Sequence, residues 1–383
     1  MVTQQAFLSD PRLWLMREAP DDPVFFFDPR VLQATAARFQ ADFPGTVTYA
    51  VKANPAACVL DNLVAAGLRA FDVASVPEMV AVRAACPTAA LHFHNPVRSQ
   101  LEIAQGIEHG VTSWSVDRWS ELDKLGEIPK RSEVAVRLKL PLTGAAYDFG
   151  SKFGADATLA ADLLRAVQAR GLTPSMTFHP GTQCDAPDLW RAYIRAAADV
   201  AKAAGVQLAR LNVGGGFASH RAGAAPDLGA VFAAIAETVQ HAFGATPPRL
   251  VCEPGRAMVA EAFTLALRVK AVSKDAVTLN DGLYGALAEW RDLPASPRIT
   301  VLRGGRPLPS GERRAFTVFG PTCDSLDRVP DAVPLPSDIA EGDHLLIAGM
   351  GAYSRTLGTR FNGYGAERIV TLAAGTGHAK TSL

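Results

Sequence analysis

The sequence predicts an α/β chain: a (β/α)₈, TIM-like barrel followed by a C-terminal antiparallel β domain. Three observations predict it. Between about residues 46 and 256, short apolar or alternating runs that end in polar or glycine-rich residues alternate with Ala/Leu-rich helical stretches. Eight such runs fall in about 210 residues, the number and length that close parallel βαβ units into a barrel. Beyond residue 257 the strand-like runs continue while the helices between them stop, which signals pairing through turns and therefore antiparallel strands. An open, doubly wound sheet is the competing reading of the first part, and the count of eight favours closure.

The elements follow in order. Residues 23–27, Pro-Val-Phe-Phe-Phe, read as a strand outside any helix–strand repeat, so residues 1–40 are expected to lend a strand to the β domain. Residues 41–260 are expected to form the barrel, with strands at 46–52, 69–73, 90–94, 112–116, 133–139, 174–179, 209–213 and 249–253. Periodicity supplies the helices: over 157–171, apolar residues recur at 159, 163, 164 and 167, and Gly171 provides a stop. Residues 261–383 are expected to form the β domain. Its strands lie at 264–272, 276–279, 298–302, 315–319 and 344–348, separated by turn signals such as Arg303-Gly304-Gly305-Arg306.

Composition narrows the function. The 383 residues carry 38 basic and 38 acidic side chains, a formal net charge of zero. That balance offers no whole-chain attraction for nucleic acid or for an anionic membrane. Hydrophobic residues at 48% and charged ones at 20% exclude a disordered chain. No apolar run reaches the roughly 18 residues that span a bilayer, and the opening Met1-Val2-Thr3-Gln4-Gln5 lacks the basic start of a signal peptide. The cysteines at 58, 86, 184, 252 and 323 are odd in number, with no Cys-x-x-Cys pair. A metal site or disulfide framework is not expected, and a reducing cytoplasm is. The expected partner is a small molecule in a deep site.

In such a barrel, chemistry sits at the carboxyl ends of the strands. Those ends carry Lys52, Asp72, His94, Asn95, Asp117, Arg137, His179, Gly214-Gly215-Gly216 and Glu253-Pro254-Gly255-Arg256. A lysine closing an apolar strand is expected to be partly desolvated, which frees its amine for Schiff-base chemistry; alone it would read as a snorkelling rim lysine. Consecutive glycines let backbone N–H groups approach a phosphate, and Gly255 with Arg256 offers a second approach plus a fixed cation. Lysine, two glycine loops and a carboxylate at Glu253 together describe a pyridoxal 5'-phosphate site, with the carboxylate holding the ring nitrogen protonated. His179 is either a satisfied core histidine or a ring stacked on the cofactor. Cys323, in Gly320-Pro-Thr-Cys-Asp-Ser-Leu-Asp327, has loop-forming neighbours.

These motifs resemble the ornithine/diaminopimelate decarboxylase family of pyridoxal-phosphate enzymes, which pairs an alanine-racemase-like barrel with a C-terminal β domain. The resemblance runs from about residue 22 to 375. It rests on Tyr49-Ala-Val-Lys-Ala-Asn54, Phe71-Asp-Val-Ala-Ser75, Gly214-Gly-Gly-Phe217, Glu253-Pro-Gly-Arg256, Cys323-Asp-Ser-Leu-Asp327, Gly351-Ala-Tyr353 and Phe361-Asn-Gly-Tyr364. It implies that Lys52 is the Schiff-base lysine with Asp72 beside it, that Arg137 faces the phenolic oxygen, and that His179 stacks on the ring. It assigns phosphate to Thr182, Gly215, Gly216, Gly255, Arg256 and Tyr353, and the ring nitrogen to Glu253. Cys323, Asp324 and Phe361 would come from a partner subunit, making a homodimer with shared sites, and Lys152 would pair with Asp327 across that interface. Cys323 is the family's proton donor after loss of CO₂.

The resemblance implies decarboxylation of a basic amino acid, first L-ornithine to putrescine in polyamine biosynthesis, with lysine also possible. Asp324 is the reason, since a short carboxylate pairs with a distal ammonium. One departure stands out. After Asn280-Asp-Gly-Leu-Tyr-Gly285, ornithine-selective members carry a further acidic residue, and here neither Glu289 nor Asp292 falls in register. Diaminopimelate, carboxynorspermidine, arginine-like and D-amino-acid substrates are the alternatives. A racemase is disfavoured by Glu253 with Cys323, and a catalytically silent regulatory relative by the presence of both Lys52 and Cys323.

Overall fold

A computed structural model describes residues 9–126, 128–141, 152–309 and 311–373; the opening pentapeptide lies outside them. The chain divides into two compact units, one of Gln33–Ser219 with Pro226–Met258, the other of Met1–Leu32, His220–Ala225 and Val259–Leu383.

Strands are numbered in chain order, and β1 (Val24–Phe27) belongs to the second unit. The first unit holds β2 (Gly45–Val47), β3 (Tyr49–Ala50), β4 (Ala70–Val73), β5 (Ala90–Phe93), β6 (Val111–Val116), β7 (Glu133–Arg137), β8 (Thr173–Thr177), β9 (Arg210–Asn212) and β10 (Arg249–Cys252). They run β2-β10-β9-β8-β7-β6-β5-β4-β3, and every pairing is parallel. β2 and β3 are one strand interrupted at Thr48. Its first half pairs with β10 and its second with β4, so the sheet closes on itself as an eight-stranded barrel. Each expected strand is present, with ends shifted by a few residues.

The intervening helices are terminated by local chemistry. Asp156 caps Ala157–Ala169 by accepting from the Leu159 N–H at 2.9 Å, and Leu163, Leu164 and Val167 form its buried face. Ser99 and Glu102 make a reciprocal capping box on Gln100–Glu108. β4 is buried at all four positions, as a strand between a packed barrel interior and a helical shell must be.

The second unit adds β11 (Phe263–Val272), β12 (Ala276–Leu279), β13 (Ile299–Arg303), β14 (Arg306–Pro307), β15 (Arg313–Phe319), β16 (Val333–Pro336), β17 (His344–Ala348) and β18 (Arg368–Thr371). Their order is β14-β13-β17-β11-β12-β15-β16, with β1 lying between β11 and β18. Pairing is antiparallel as expected, except that β12–β15 and β1–β18 are parallel. Long connections bring β15 and β18 back in the direction of their neighbours, which a hairpin cannot do. β1 is fixed by its aromatic side chains: Phe27 stacks on Phe263 at 4.7 Å, and Trp14 meets the Phe26 ring edge-on at 5.4 Å.

Candidate active site

The carboxyl ends of the barrel strands surround a cavity of about 220 Å³. Lys52, Asp72, Arg137, His179 and Glu253, all singled out in the sequence, line it together with His94. Lys52 does not close its strand. β3 stops at Ala50, and Lys52 sits in a tight 3₁₀ turn, Val51–Ala53, with its side chain exposed rather than desolvated. The turn is closed by Asn54, whose N–H donates to the Val51 carbonyl at 3.1 Å and whose carbonyl accepts from the Tyr49 hydroxyl at 3.1 Å.

Glu253 is the most heavily engaged group. Its Oε1 lies 2.6 Å from His94 Nδ1 and accepts from the Asn212 side-chain amide. Asn212, the last residue of β9, also accepts from the Gly214 N–H at 2.9 Å, tying the glycine loop to the same carboxylate. Burial alone would raise Glu253, but the His94 hydrogen bond and charge, with help from Lys52 and Asn212, hold it at about 2. Burial opposes protonation of His94, and the Glu253 contact outweighs it, raising the imidazole. Asp72 behaves oppositely. Burial first, then the Glu253 charge, push its carboxyl up to about 7 against the opposing charges of Lys52 and His94. Its Oδ1 is buried with no hydrogen-bond partner. Burial, with Lys52 and Arg137 nearby, holds the His179 imidazole at about 3, so that ring is neutral. Ligand atoms of Asp72, His94 and Glu253 lie within 4.8 Å of one another. Both nitrogens of His94 are already engaged, by Glu253 and by Ser113, so the trio reads as a charge cluster and not as a metal centre.

Two glycines sit where the loop backbone packs directly against other backbone and no side chain fits. A Cβ on Gly215 would stand 2.7 Å from the Glu253 carbonyl oxygen, and one on Gly216 would stand 2.4 Å from that of Gly181. Gly216 also has φ +82°, which L side chains rarely adopt. Thr182 is buried in the loop after His179, a loop pinned by the Cys184 N–H donating to the Gly216 carbonyl at 2.8 Å. Gly255 and the buried Arg256 follow Glu253 after Pro254. This donor set, the side-chain-free backbone at Gly215–Gly216 and the orphaned Asp72 oxygen fit a group that carries a phosphate, an aromatic ring with a basic nitrogen and an electrophilic carbon for Lys52.

The other expected site residues lie in the second unit. Cys323 is exposed, its thiol 3.4 Å from the Asn362 side-chain oxygen. Asp324 accepts from the Tyr284 hydroxyl at 2.6 Å and from the Leu326 N–H at 2.9 Å. Phe361, 47% exposed, meets the Tyr284 ring edge-on at 5.5 Å. Tyr353 occupies the left-handed region at φ 61°. Asp327 is buried and accepts from the Thr322 hydroxyl at 2.9 Å within its own chain, while Lys152 lines the barrel cavity with its ammonium 5.0 Å from the centre of the Phe153 ring. Glu289 is a buried partner of Arg221 at 2.9 Å, a contact of the fold, and Asp292 is exposed. The sequence reading missed Tyr284, which precedes Gly285 at the end of a motif already noted, and Asn212, which sits inside an apolar strand.

The family model for the pyridoxal-binding domain of pyridoxal-dependent decarboxylases matches residues 30–260. Decarboxylase flvG of Aspergillus flavus is 33% identical over 343 residues, covering 84% of this chain and 78% of that protein. The chloroplastic ornithine decarboxylase of Nicotiana glauca is 34% identical over 342 residues, covering 84% and 77% respectively. In fold, the chain is similar to the arginine decarboxylase of Paramecium bursaria Chlorella virus, with a TM-score of 0.84 at 23% identity over 94% of this chain and 98% of that one. No helix among the described residues is long and apolar enough to cross a membrane.

Proposed function

Because the chain belongs to the pyridoxal-dependent decarboxylase family, a family of carboxy-lyases, we propose that it removes CO₂ from a basic L-amino acid, first L-ornithine to putrescine, in a homodimer with shared sites. The observation that carries the substrate class is Asp324. It is a short carboxylate in an exposed turn beside Cys323, oriented by the Tyr284 hydroxyl, as a distal ammonium requires. The relatives support the class and leave the member open, since they include ornithine and arginine decarboxylases.

Pyridoxal phosphate, when bound, supplies the sink for the electron pair that departing CO₂ leaves behind. Lys52 would anchor it covalently. Gly215, Gly216, Gly255, Arg256, Thr182 and Tyr353 would hold its phosphate. Glu253 would hold a proton at the ring nitrogen, with the neutral imidazole of His179 against the ring, Arg137 toward the phenolic oxygen and Asp72 beside Lys52. Cys323 of a partner subunit would supply the proton that replaces CO₂ on the substrate, and Phe361 would close on the substrate's apolar stem. Residues 41–260 are the cofactor barrel in this reading. All five cysteines are free, which supports a reducing cytoplasm.

The test is a panel of L-ornithine, L-lysine, L-arginine, meso-diaminopimelate, carboxynorspermidine and D-ornithine, read by CO₂ release and chiral analysis of product. Release from L-ornithine with the highest kcat/KM is expected. Release from none, or racemisation without release, would sink the proposal.

A further inference from the structure

Glu253 has a partner behind it that the reaction chemistry does not call for. His94, at the end of β5, lies within the barrel and is 6% exposed. Its Nδ1 faces Glu253 Oε1 at 2.6 Å and its Nε2 faces Ser113 Oγ at 2.8 Å. Ser113 donates its single hydrogen to Glu133 Oε1 at 2.9 Å, and Glu133 is ion-paired with Arg210. The directions are then fixed. A carboxylate paired with a guanidinium only accepts, so the Ser113 oxygen must accept from His94 Nε2–H. With that nitrogen protonated, the single hydrogen between Nδ1 and Glu253 Oε1 decides whether the two form an imidazolium–carboxylate pair or two neutral groups. The surroundings favour the ion pair: Asp72 on the adjacent β4 and Glu133 on β7 face His94, and Lys52 faces Glu253. Against it stands the Asn212 side-chain amide, a donor 3.0 Å from Nδ1; the His92 ring, stacked 5.5 Å away, is held well below the usual imidazole range by burial and by the His94 and Arg210 charges.

We propose that His94, held through Ser113 by the Glu133–Arg210 ion pair, is a positioning residue that keeps Glu253 a weakly basic anion, so that a proton lying between Glu253 and a ring nitrogen stays on the nitrogen. His94 and Asn212 both engage Oε1, so Oε2 takes neither of those bonds. An imidazolium at 2.6 Å lowers the proton affinity of the carboxylate far more than that of a group on its other side. Without His94, Glu253 would be left to the burial that pushes Asp72 up to about 7, and it would draw the proton toward itself.

The inference rests on Glu253 meeting the ring nitrogen, and the experiment separates the two. Holoenzyme is prepared with pyridoxal phosphate labelled with ¹⁵N in the ring, and the nitrogen chemical shift is followed against pH. In the wild-type protein the protonated shift is expected across pH 6–9. His94→Gln, which keeps a donor but no cation, should move the shift toward the unprotonated value, with kcat lowered roughly tenfold and KM little changed, since one unit of pKa is tenfold in an equilibrium. Ser113→Ala should move it the same way by less, and carries the test if His94→Gln does not fold. An unchanged shift in the folded variants overturns the role of His94. An unchanged shift in Glu253→Gln as well would instead overturn the placement of Glu253 at the ring nitrogen.

Discussion

Asp72 and Asp324 are both carboxylates of the proposed site, and their surroundings set them to opposite tasks. Burial and the neighbouring Glu253 charge raise Asp72 to about 7 from its usual 3.8, so the folded protein binds that proton more tightly than the unfolded chain does. Stability from this group is therefore full below about pH 4 and is lost as pH rises toward 7. Asp72→Asn apoprotein should melt roughly 2 °C or more above wild type at pH 8 and match it at pH 4; equal melting curves at both pH values would contradict the raised carboxyl. Asp324 is half-buried, and the Tyr284 hydroxyl bond lowers its pKa, keeping it anionic and ready for a cation. Asp324→Asn should lower kcat/KM for L-ornithine roughly tenfold. The loss should be smaller for L-norvaline, which lacks the distal amine; equal losses on the two would make Asp324 structural. Lys52, His179, Glu253 and Asp324 were legible in the sequence because each stands in a motif or at a strand end. Asn212 and the pairing of His94 were not, because they act on Glu253 from 41 and 159 residues away, and no local pattern records that proximity.

At the scale of elements, the glycine loop is positioned by the residue that follows it. Phe217 is 2% exposed, stacks on Trp190 at 5.1 Å and meets Phe39 and Phe232 edge-on at 5.8 and 5.7 Å. Trp190 stands on the helix Asp188–Ala204, which ends at Gly205 in the left-handed conformation. The helix therefore sets where Gly214, Gly215 and Gly216 present their backbone. Phe217→Ala should cost about 3–5 kcal/mol in chemical denaturation. It should also weaken pyridoxal phosphate binding in a titration of the folded apoprotein. Lost stability with unchanged binding would mean that the loop holds its shape without this anchor. The same scale shows which strands a sequence reveals. The barrel strands are apolar runs bounded by helices, and all eight were readable. β14 has two residues, β16 reads Val-Pro-Leu-Pro and β18 opens with Arg368. Short length, proline and charge mark them as edge-like segments, which periodicity does not separate from loop.

At the scale of the whole molecule, the proposed chemistry is divided between two compact units. Lys52, His179 and Glu253 stand in the barrel unit; Cys323, Asp324 and Phe361 stand in the other. The second group clusters around Tyr284 on an exposed rim that includes Leu326 at 74% exposure, an apolar side chain that a partner surface would cover. If the rim of one chain completes the barrel site of another, then Lys52→Ala and Cys323→Ala proteins, each inactive alone, complement one another. A mixed dimer has one site with both defects and one with none. With free subunit exchange at equal amounts, half the dimers are mixed, and activity should return to about a quarter of wild type. If each chain instead supplied its own lysine and thiol, every site in the mixture would carry one defect. Exchange demonstrated by native mass spectrometry without recovered activity would therefore assign the complete site to a single chain.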